Sequence, residues 1–218
     1  MAVNDYHFIT KWRVESTVEE VAEVLGNATD LPRWWPAVYL QVEVLEPGDE
    51  QNKGQGQVVS LYTKGWLPYT LRWQFKSVEN YAPHGFVIEA RGDFVGKGVW
   101  TFEQDGPYVN IIYDWRIKAE KPLLRRFSFL LKPVFSLNHR WAMHKGEESL
   151  RLELARRKAK TDSERARISS PPPATTTSSL PLLLGFLTTG AAILVLLQKL
   201  LYKRPPDLIE EKESGLID

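Results

Sequence analysis

The chain has 218 residues, of which 43% are hydrophobic and 25% are charged, and its formal net charge is +1. This composition excludes a disordered chain, a collagen and a highly charged nucleic-acid-binding tail. The absence of cysteine excludes disulfides, thiolate metal sites and cysteine nucleophiles. All eight tryptophans lie between Trp12 and Trp141. This aromatic density predicts either a large core or an aromatic-lined pocket.

The N-terminal part of the chain carries the patterns of one strand and two short helices. Residues 6–14 alternate between apolar and polar side chains, which predicts a strand. A capping residue at Ser16 or Thr17 begins a helix with an apolar face, which ends at Gly26. The segment 30–38 (DLPRWWPAV) contains two prolines around two tryptophans and predicts a short helix or turn.

Strand patterns and turn signals then follow one another until residue 119. Six strands are predicted, at residues 40–45, 57–63, 69–78, 85–90, 98–103 and 108–119. The loop 64–69 (KGWLPY) is predicted either to dip into a membrane interface or to fold onto its own sheet. From Pro122 to about residue 158, apolar residues recur at spacings of three and four, which predicts a long helix kinked at Pro133. This order predicts an α+β helix-grip fold, in which an antiparallel sheet surrounds a long C-terminal helix.

The C-terminal part of the chain differs in composition from the domain predicted for residues 1–160. Residues 161–179 are rich in Pro, Ser and Thr and predict a flexible linker. The next 18 residues carry no charge, and with the following Leu-Leu-Tyr they predict a transmembrane helix at 180–202. A core helix is the alternative, but the segment is apolar on every face. Residues 203–218 form a short polar tail.

Charge and targeting signals bear on the location of the domain. No apolar signal segment is present at the N-terminus, so we expect a cytoplasmic N-terminal domain with a single-pass C-terminal anchor. Basic residues lie on both sides of the predicted span, so charge alone does not orient it. Residues 116–160 contain 13 Lys and Arg against 4 Asp and Glu. This basic region either faces anionic lipid or forms a solvated helix face.

Four segments together carry a resemblance to a known family. They are DLPRWWPAV (30–38), GDFVGKGVWTFEQDG (92–106), YDWRIKAEKPLLRR (113–126) and PVFSLNHRWAMHKGEESLRLEL (133–154). In this element order, residues 5–156 resemble the Bet v 1-like/START superfamily, and within it the polyketide cyclase/dehydrase and lipid-transport (SRPBCC) branch. The resemblance implies a deep apolar cavity for a lipid, sterol, quinone, plant hormone or polyketide. It implies no particular reaction, because the family has no universal catalytic set.

Aromatic residues on the inward strand faces and on the long helix are the candidates for binding a ligand, and core packing is the alternative role for each. The predicted ligand-binding residues are Trp34, Trp73, Trp100, Tyr113, Trp115, Phe127, Phe135 and His139. No catalytic residue is assigned. Tyr113 and His139 are the candidates for an acid–base pair, although a single helix histidine more often fills a core or surface position.

Metal and cofactor sites are not expected. His139 and His144 are five residues apart, off the four-residue spacing that places two ligands on one helix face. The leading hypothesis is a membrane-tethered binding or transfer protein, with a hydrophobic small molecule and the lipid bilayer as partners and no nucleic acid. The alternatives are a cyclase/dehydratase-type enzyme and a module that docks a membrane partner. Nothing in the sequence indicates an oligomeric state.

Overall fold

The computed structural model describes residues 4–49, 51–52, 54–67, 69–120 and 122–175, and of residues 122–131 it describes the backbone alone. These residues belong to one compact unit of the chain, Met1–Thr177. The strands are β1 Asp5–Glu15, β2 Tyr39–Glu46, β3 Val58–Lys64, β4 Thr70–Asn80, β5 Gly85–Gly92, β6 Phe94–Asp105 and β7 Tyr108–Ala119. The α-helices are α1 Val18–Gly26, α2 Leu31–Trp34, α3 Pro122–Lys158 and α4 Asp162–Ala166, and a 3₁₀ turn covers Ala28–Asp30.

The strands form one antiparallel sheet in the order β1-β7-β6-β5-β4-β3-β2. The first strand therefore pairs with the last, from Asp5 opposite Lys118 to Glu15 opposite Tyr108. Because side chains alternate across a strand, this register places the buried Trp12 opposite the buried Ile111 on the inner face. The predicted antiparallel sheet is confirmed, and the observed β7 has the predicted bounds.

The 37-residue helix α3 packs against β1, β7, α1 and α2. Its buried side chains include Met143, Leu150 and Leu154, which join the core of the inner sheet face. The α+β architecture, with an antiparallel sheet and a long C-terminal helix, is confirmed. The helix includes Pro133, the residue at which the sequence predicts a kink.

Helix α1 begins where the sequence predicts. The Thr17 hydroxyl accepts a hydrogen bond from the Glu20 N–H at 3.3 Å, and the Glu20 carboxylate accepts from the Thr17 N–H at 3.4 Å. This capping box satisfies N–H groups that a helix start leaves unpaired. The helix ends at Gly26, and the chain then turns into α2, which ends at Trp34 and is followed directly by Trp35.

The residues after α3 differ in part from the predicted flexible linker. Thr161 caps the short helix α4 through a second capping box with Glu164. Residues 169–175 then lie against the domain, with hydrogen bonds from Arg156 to the Ser169 carbonyl and between Thr175 and Gly65. The composition excludes an independent core for this segment, but it does not exclude hydrogen bonding to a surface that is already folded.

The predicted transmembrane helix at 180–202 and the tail at 203–218 lie outside the described residues. Within the parts of the chain that are described, no helix is both long enough and apolar enough to cross a membrane.

Candidate functional site

An apolar chamber of about 120 Å³ lies between the inner face of the sheet and helix α3. Most of its wall is aromatic or aliphatic, and its polar groups are few. The residues that line it are Tyr6, Phe8, Trp35, Val38, Tyr39, Thr63, Lys64, Gly65, Tyr69, Leu71, Trp73, Phe94, Tyr113, Trp115, Ile117, Ala119, Phe135, Asn138, His139, Ala142 and Met143. We call this space the helix chamber.

A second chamber of about 250 Å³ lies nearer to α1 and the β4–β5 end of the sheet. Its wall combines aromatic rings with the polar side chains of Gln57, Ser77 and Asn80. Trp35, Tyr39, Trp73 and Tyr113 line both chambers, so these four residues form a shared aromatic wall. Each chamber is smaller than the roughly 300–1,000 Å³ of a typical ligand pocket.

Tyr113 stands at the centre of an aromatic stack on the inner sheet face. Its ring lies parallel to Trp100 at 4.0 Å between centroids and nearly parallel to Trp115 at 5.4 Å. Register explains the first contact, because Trp100 and Tyr113 are partners across β6 and β7. Burial raises the pKa of Tyr113 well above its usual value, and nearby Tyr39 adds to the rise. The Tyr113 phenol is therefore a protonated hydrogen-bond donor at neutral pH.

Two further tyrosines of the helix chamber have the same character. Burial raises the pKa values of Tyr39 and Tyr69, so neither forms a phenolate at neutral pH. The chamber therefore offers hydroxyl groups to a ligand and no phenolate base.

His139 enters the helix chamber from α3. Its ring stacks on Phe8 of β1 with 4.1 Å between centroids, and its Nε2 lies 3.4 Å from the Thr10 hydroxyl. Burial lowers the pKa of His139 to about 4. The imidazole is therefore neutral at pH 7, and it adds an apolar ring and a weak polar group to the wall.

The rim of the helix chamber is built by Lys64, Gly65 and Asn138. The Asn138 Oδ1 accepts hydrogen bonds from the backbone N–H groups of Trp66 at 3.0 Å and Leu67 at 3.3 Å. A Cβ at position 65 would lie 2.1 Å from that same oxygen, so any larger residue there would displace the Asn138 amide from these hydrogen bonds. Residues 66 and 67 are thus hydrogen-bonded to helix α3, with Leu67 buried, and contact of the loop 64–69 with a membrane interface stays a prediction.

Helix α2 is joined to α3 by a buried carboxylate. Glu153 of α3 is 2% exposed, and its two oxygens accept hydrogen bonds of 2.8 Å from the Arg33 guanidinium. Arg157 adds a third hydrogen bond at 3.0 Å. Burial raises the pKa of Glu153, but the hydrogen bonds from Arg33 and Arg157 outweigh burial and leave this pKa below its usual value. This ion pair fixes α2, and with it the neighbouring Trp35, against the helix.

Comparison with known proteins decides the family. The model of the family described as polyketide cyclase / dehydrase and lipid transport matches residues 8–153. The chain belongs to this family. The match ends within α3, so α4 and residues 169–175 lie beyond the matched region. A search of curated proteins finds no match.

Solved structures share the fold of this polyketide cyclase/dehydrase and lipid-transport family member at low sequence identity. A protein of Thermus thermophilus is similar with a TM-score of 0.58 and 15% identity, over 71% of this chain and 100% of that one. The Zhui aromatase/cyclase of Streptomyces sp. R1128 is similar with a TM-score of 0.54 and 18% identity, over 72% of this chain and 97% of that one. At these identities the likeness shows the fold alone.

The structure brings most of the predicted ligand-binding residues of this family member to the two chambers. Trp115, Phe135 and His139 line the helix chamber, Trp100 lines the second chamber, and Trp73 and Tyr113 line both. The Phe127 side chain lies outside the described atoms. Trp34 lines neither chamber: it is 1% exposed and packs beside Trp35 with 5.5 Å between ring centroids. Contact with a ligand stays a prediction for all of them.

Several lining residues were not singled out from the sequence. Tyr6 and Phe8 share the inner face of β1 with Trp12, so the two-residue period of that strand could have indicated both. Tyr69 is in phase with Leu71 and Trp73 in the predicted strand 69–78, so alternation could have indicated it too. Tyr39 precedes the predicted strand 40–45, so the pattern gave no signal about its direction. Among the described residues, no three His, Asp or Glu side chains are grouped to hold a metal ion.

Proposed function

We propose that this protein binds a neutral hydrophobic small molecule of the lipid, isoprenoid, quinone or polyketide class and carries it at a membrane. The helix chamber is the binding site, and residues 180–202 form the tether. The single observation that carries this proposal is the chemistry of the chamber wall. It combines a large aromatic surface with tyrosine hydroxyls and an uncharged histidine.

The polar groups of the wall favour a ligand that accepts hydrogen bonds. Tyr113 and Tyr39 present phenol donors, and their raised pKa values keep the protons in place. The charged lining residue, Lys64, has its ammonium group at the rim, 2.5 Å from the Thr175 carbonyl oxygen. A buried anion would therefore lack a counter-charge inside the chamber, which favours a neutral molecule with carbonyl, ester or hydroxyl oxygens.

The size of the chambers indicates how such a ligand fits. A lipid or quinone needs more than the 120 Å³ of the helix chamber. The second chamber lies behind the shared wall of Trp35, Tyr39, Trp73 and Tyr113. Rotation of these side chains would join the two spaces, and we propose that the ligand occupies both.

The membrane tether fits the energetics of this binding. A molecule that leaves a bilayer for an apolar chamber gains little from the hydrophobic effect, because the lipid is equally apolar. Shape and hydrogen bonds to groups such as Tyr113 must then provide selectivity. A tether raises the effective concentration of membrane-dissolved ligand at the chamber, which compensates for modest affinity.

An enzyme of the cyclase/dehydratase type is the second candidate, because Tyr113 and His139 line the same chamber. The family description includes polyketide cyclases and dehydrases. The pKa of about 4 makes His139 a weak base, which favours the carrier over this acid–base pair. A partner-docking module with a filled cavity is disfavoured by the two open chambers.

Recovery of the bound molecule tests the proposal. The full chain is purified, and its lipophilic small molecules are extracted and identified by mass spectrometry. Ala142 lines the helix chamber, so Ala142→Phe places a phenyl ring inside it. One benzene molecule occupies an engineered protein cavity of about 150 Å³, so this ring should fill the chamber of about 120 Å³. Ala155→Phe is the matched control, because Ala155 is an exposed residue of the same helix.

Comparison of wild type, Ala142→Phe and Ala155→Phe distinguishes a ligand bound in the chamber from lipid that adheres to the apolar segment. A molecule recovered from wild type and Ala155→Phe but lost from Ala142→Phe is the chamber ligand. Equal recovery from all three proteins, or none from any, contradicts the proposal. If the recovered molecule is chemically altered on incubation with wild type, the enzyme takes the place of the carrier.

A further inference from the structure

The indole N–H of Trp35 is a buried hydrogen-bond donor that the protein itself does not use. Trp35 is 3% exposed, and its Nε1 has no hydrogen-bond partner among the described residues. Most buried polar groups are paired, because an unpaired donor loses its bond to water and gains nothing in return. The neighbouring ring of Tyr39, in edge-to-face contact at 5.1 Å between centroids, offers only a weak acceptor. This N–H is therefore available to a bound molecule.

Comparison with two other tryptophans shows what distinguishes Trp35. Trp73 also belongs to the shared wall of the two chambers, but its Nε1 donates to the Thr63 hydroxyl at 3.1 Å. Trp34 has a buried Nε1 that is likewise unpaired within the described part of the chain, but it lines neither chamber. Trp35 combines the two properties, because its ring lines both chambers and its N–H is unpaired.

Two tyrosine hydroxyls belong to the same shared wall. The Tyr39 ring packs on Trp35, and Tyr39 contributes to the raised pKa of Tyr113, which places the two phenols near each other. Burial keeps both phenols protonated at neutral pH. The wall between the chambers thus groups an indole N–H, which can only donate, with two O–H donors.

We propose that Trp35 donates a hydrogen bond to a carbonyl oxygen of the ligand, and that this carbonyl lies at the shared wall between the two chambers. The inference rests on the proposed function and adds the chemical group that is recognised and its place. A carbonyl oxygen accepts two hydrogen bonds and donates none, so it can accept one from Trp35 and one from Tyr39 or Tyr113. The ligand is then a ketone, quinone or ester whose apolar parts extend into the chambers on either side.

Replacement of the N–H alone tests this role of Trp35. The analogue 3-benzothienylalanine has the shape of tryptophan, but a sulfur atom takes the place of the N–H group. It is introduced into the full chain at position 35 by suppression of a stop codon. The same replacement at Trp34 is one control, because that N–H is also unpaired but lies away from both chambers. Replacement at Trp73 is the other, because that N–H already donates to Thr63.

Two probes that differ only in the recognised group provide the readout. 2-Acetylnaphthalene carries a C=O group, and 2-isopropenylnaphthalene carries a C=CH₂ group of nearly the same shape that lacks the acceptor oxygen. Equilibrium dialysis against the full chain, followed by absorbance, measures the affinity for each probe. Uptake by the detergent that solubilises the chain is the same for every variant and cancels in the comparison. A change in packing affects both affinities, whereas a lost hydrogen bond affects the ketone alone.

We expect the analogue at position 35 to weaken binding of the ketone about tenfold relative to the alkene, which is the effect of one hydrogen bond. The analogues at positions 34 and 73 should leave the ratio of the two affinities as in wild type. An unchanged ratio at position 35, or the same change at all three positions, overturns the inference and leaves the proposed function in place. Wild type that binds neither probe contradicts the proposed function and the inference together.

Nuclear magnetic resonance reports on the N–H directly. In the full chain with ¹⁵N-labelled tryptophan, the signal of Trp35 is the indole signal that the analogue at position 35 removes. We expect its proton to move downfield when 2-acetylnaphthalene binds, because a carbonyl acceptor deshields the N–H proton. The alkene should not produce this shift. Equal shifts with the two probes would indicate ring contact in place of a hydrogen bond and would overturn the donor role of Trp35.

Discussion

The six-membered ring of the Trp35 indole lies directly against the backbone of Gly146 in helix α3. A Cβ at position 146 would lie 2.3 Å from the Trp35 Cζ2 and 2.6 Å from its Cε2 and Cη2. Such contacts are far inside van der Waals distance, so any side chain at 146 must displace the indole. Because Trp35 lines both chambers, this glycine positions the wall between them.

Replacement of Gly146 should therefore destabilise the protein. In an ordinary helix interior, Gly→Ala stabilises by about 0.5–1 kcal/mol. Here we expect Gly146→Ala to lower the free energy of unfolding by about 1–3 kcal/mol, because overpacking forces the indole out of its site. Urea unfolding followed by circular dichroism measures the change.

The matched control for this substitution is Gly26→Ala at the end of α1. A Cβ at position 26 would meet no atom within 4 Å. We expect a change of less than about 1 kcal/mol there, in the stabilising direction. If Gly146→Ala behaved like Gly26→Ala, the close packing of Trp35 on α3 would be contradicted.

The buried carboxylate of Glu153 provides a second prediction. Glu153→Gln keeps the shape of the side chain but removes the charge that Arg33 and Arg157 share. Hydrogen bonds to charged groups contribute about 1.5–3 kcal/mol. The Arg33 side chain is 52% exposed, so water can solvate its charge when the carboxylate is removed. We therefore expect Glu153→Gln to lower the free energy of unfolding by about 2 kcal/mol, less than when a fully buried charge loses its partner.

Glu148→Gln, on the same helix, is the control for this substitution. Glu148 pairs with Lys145 at 2.7 Å, and both side chains are partly exposed. Exposed pairs of this kind contribute about 0–1 kcal/mol. Equal effects of the two substitutions in chemical unfolding would show that Glu153 does not join α2 to α3.

Particular residues show how far sequence alone predicts this fold. The seven strands and the capping box at Thr17 follow from local patterns, since alternation and capping involve residues close in the chain. The role of Gly146 in packing against Trp35 could not be predicted from local patterns. Its role depends on Trp35, more than 100 residues earlier, and a glycine inside a helix pattern indicates only a weaker helix.

The candidate site was predictable to the same degree. Tyr113, Trp115 and Trp73 lie on strand faces whose direction follows from alternation, and all three reach the chambers. Trp34, the last residue of α2, and Trp35, which follows it, have no such signal. The short helix turns Trp34 into the core and Trp35 towards the chambers, and tertiary packing decides between them. The attachment of Thr175 to Gly65 is likewise a long-range contact that composition does not indicate.

Stability should fall between pH 7 and pH 5 because of His139. Its pKa of about 4 in the folded protein lies below the value of about 6.5 expected when unfolded. The unfolded state therefore binds the proton first as the pH falls, which lowers the free energy of unfolding by about 2 kcal/mol over this range. Urea unfolding at the two pH values measures the difference, and His139→Gln should reduce it.

His144→Gln is the control, because His144 is exposed on the same helix. We expect it to leave the pH dependence of stability close to that of wild type. A wild-type protein equally stable at pH 7 and pH 5 would contradict the burial of a neutral His139.

The final prediction concerns the Tyr113 hydroxyl as a hydrogen-bond donor to the ligand. Menadione, a small quinone, and 2-methylnaphthalene have similar shapes, but only the quinone has acceptor oxygens. We expect Tyr113→Phe to weaken menadione binding about tenfold, the effect of one hydrogen bond of about 1.4 kcal/mol. Binding of the hydrocarbon should not change. Quenching of tryptophan fluorescence in the full chain measures both affinities.

Tyr62→Phe controls for the loss of a hydroxyl elsewhere in the sheet, because Tyr62 lies outside both chambers and its ring packs under Arg72. It should leave both affinities unchanged. If Tyr113→Phe weakened the two probes equally, the substitution would act through packing with Trp100 and not through a hydrogen bond. A selective loss of the quinone would show that the chamber recognises oxygen as well as apolar surface, which a carrier needs in order to select one solute from a bilayer that is itself apolar.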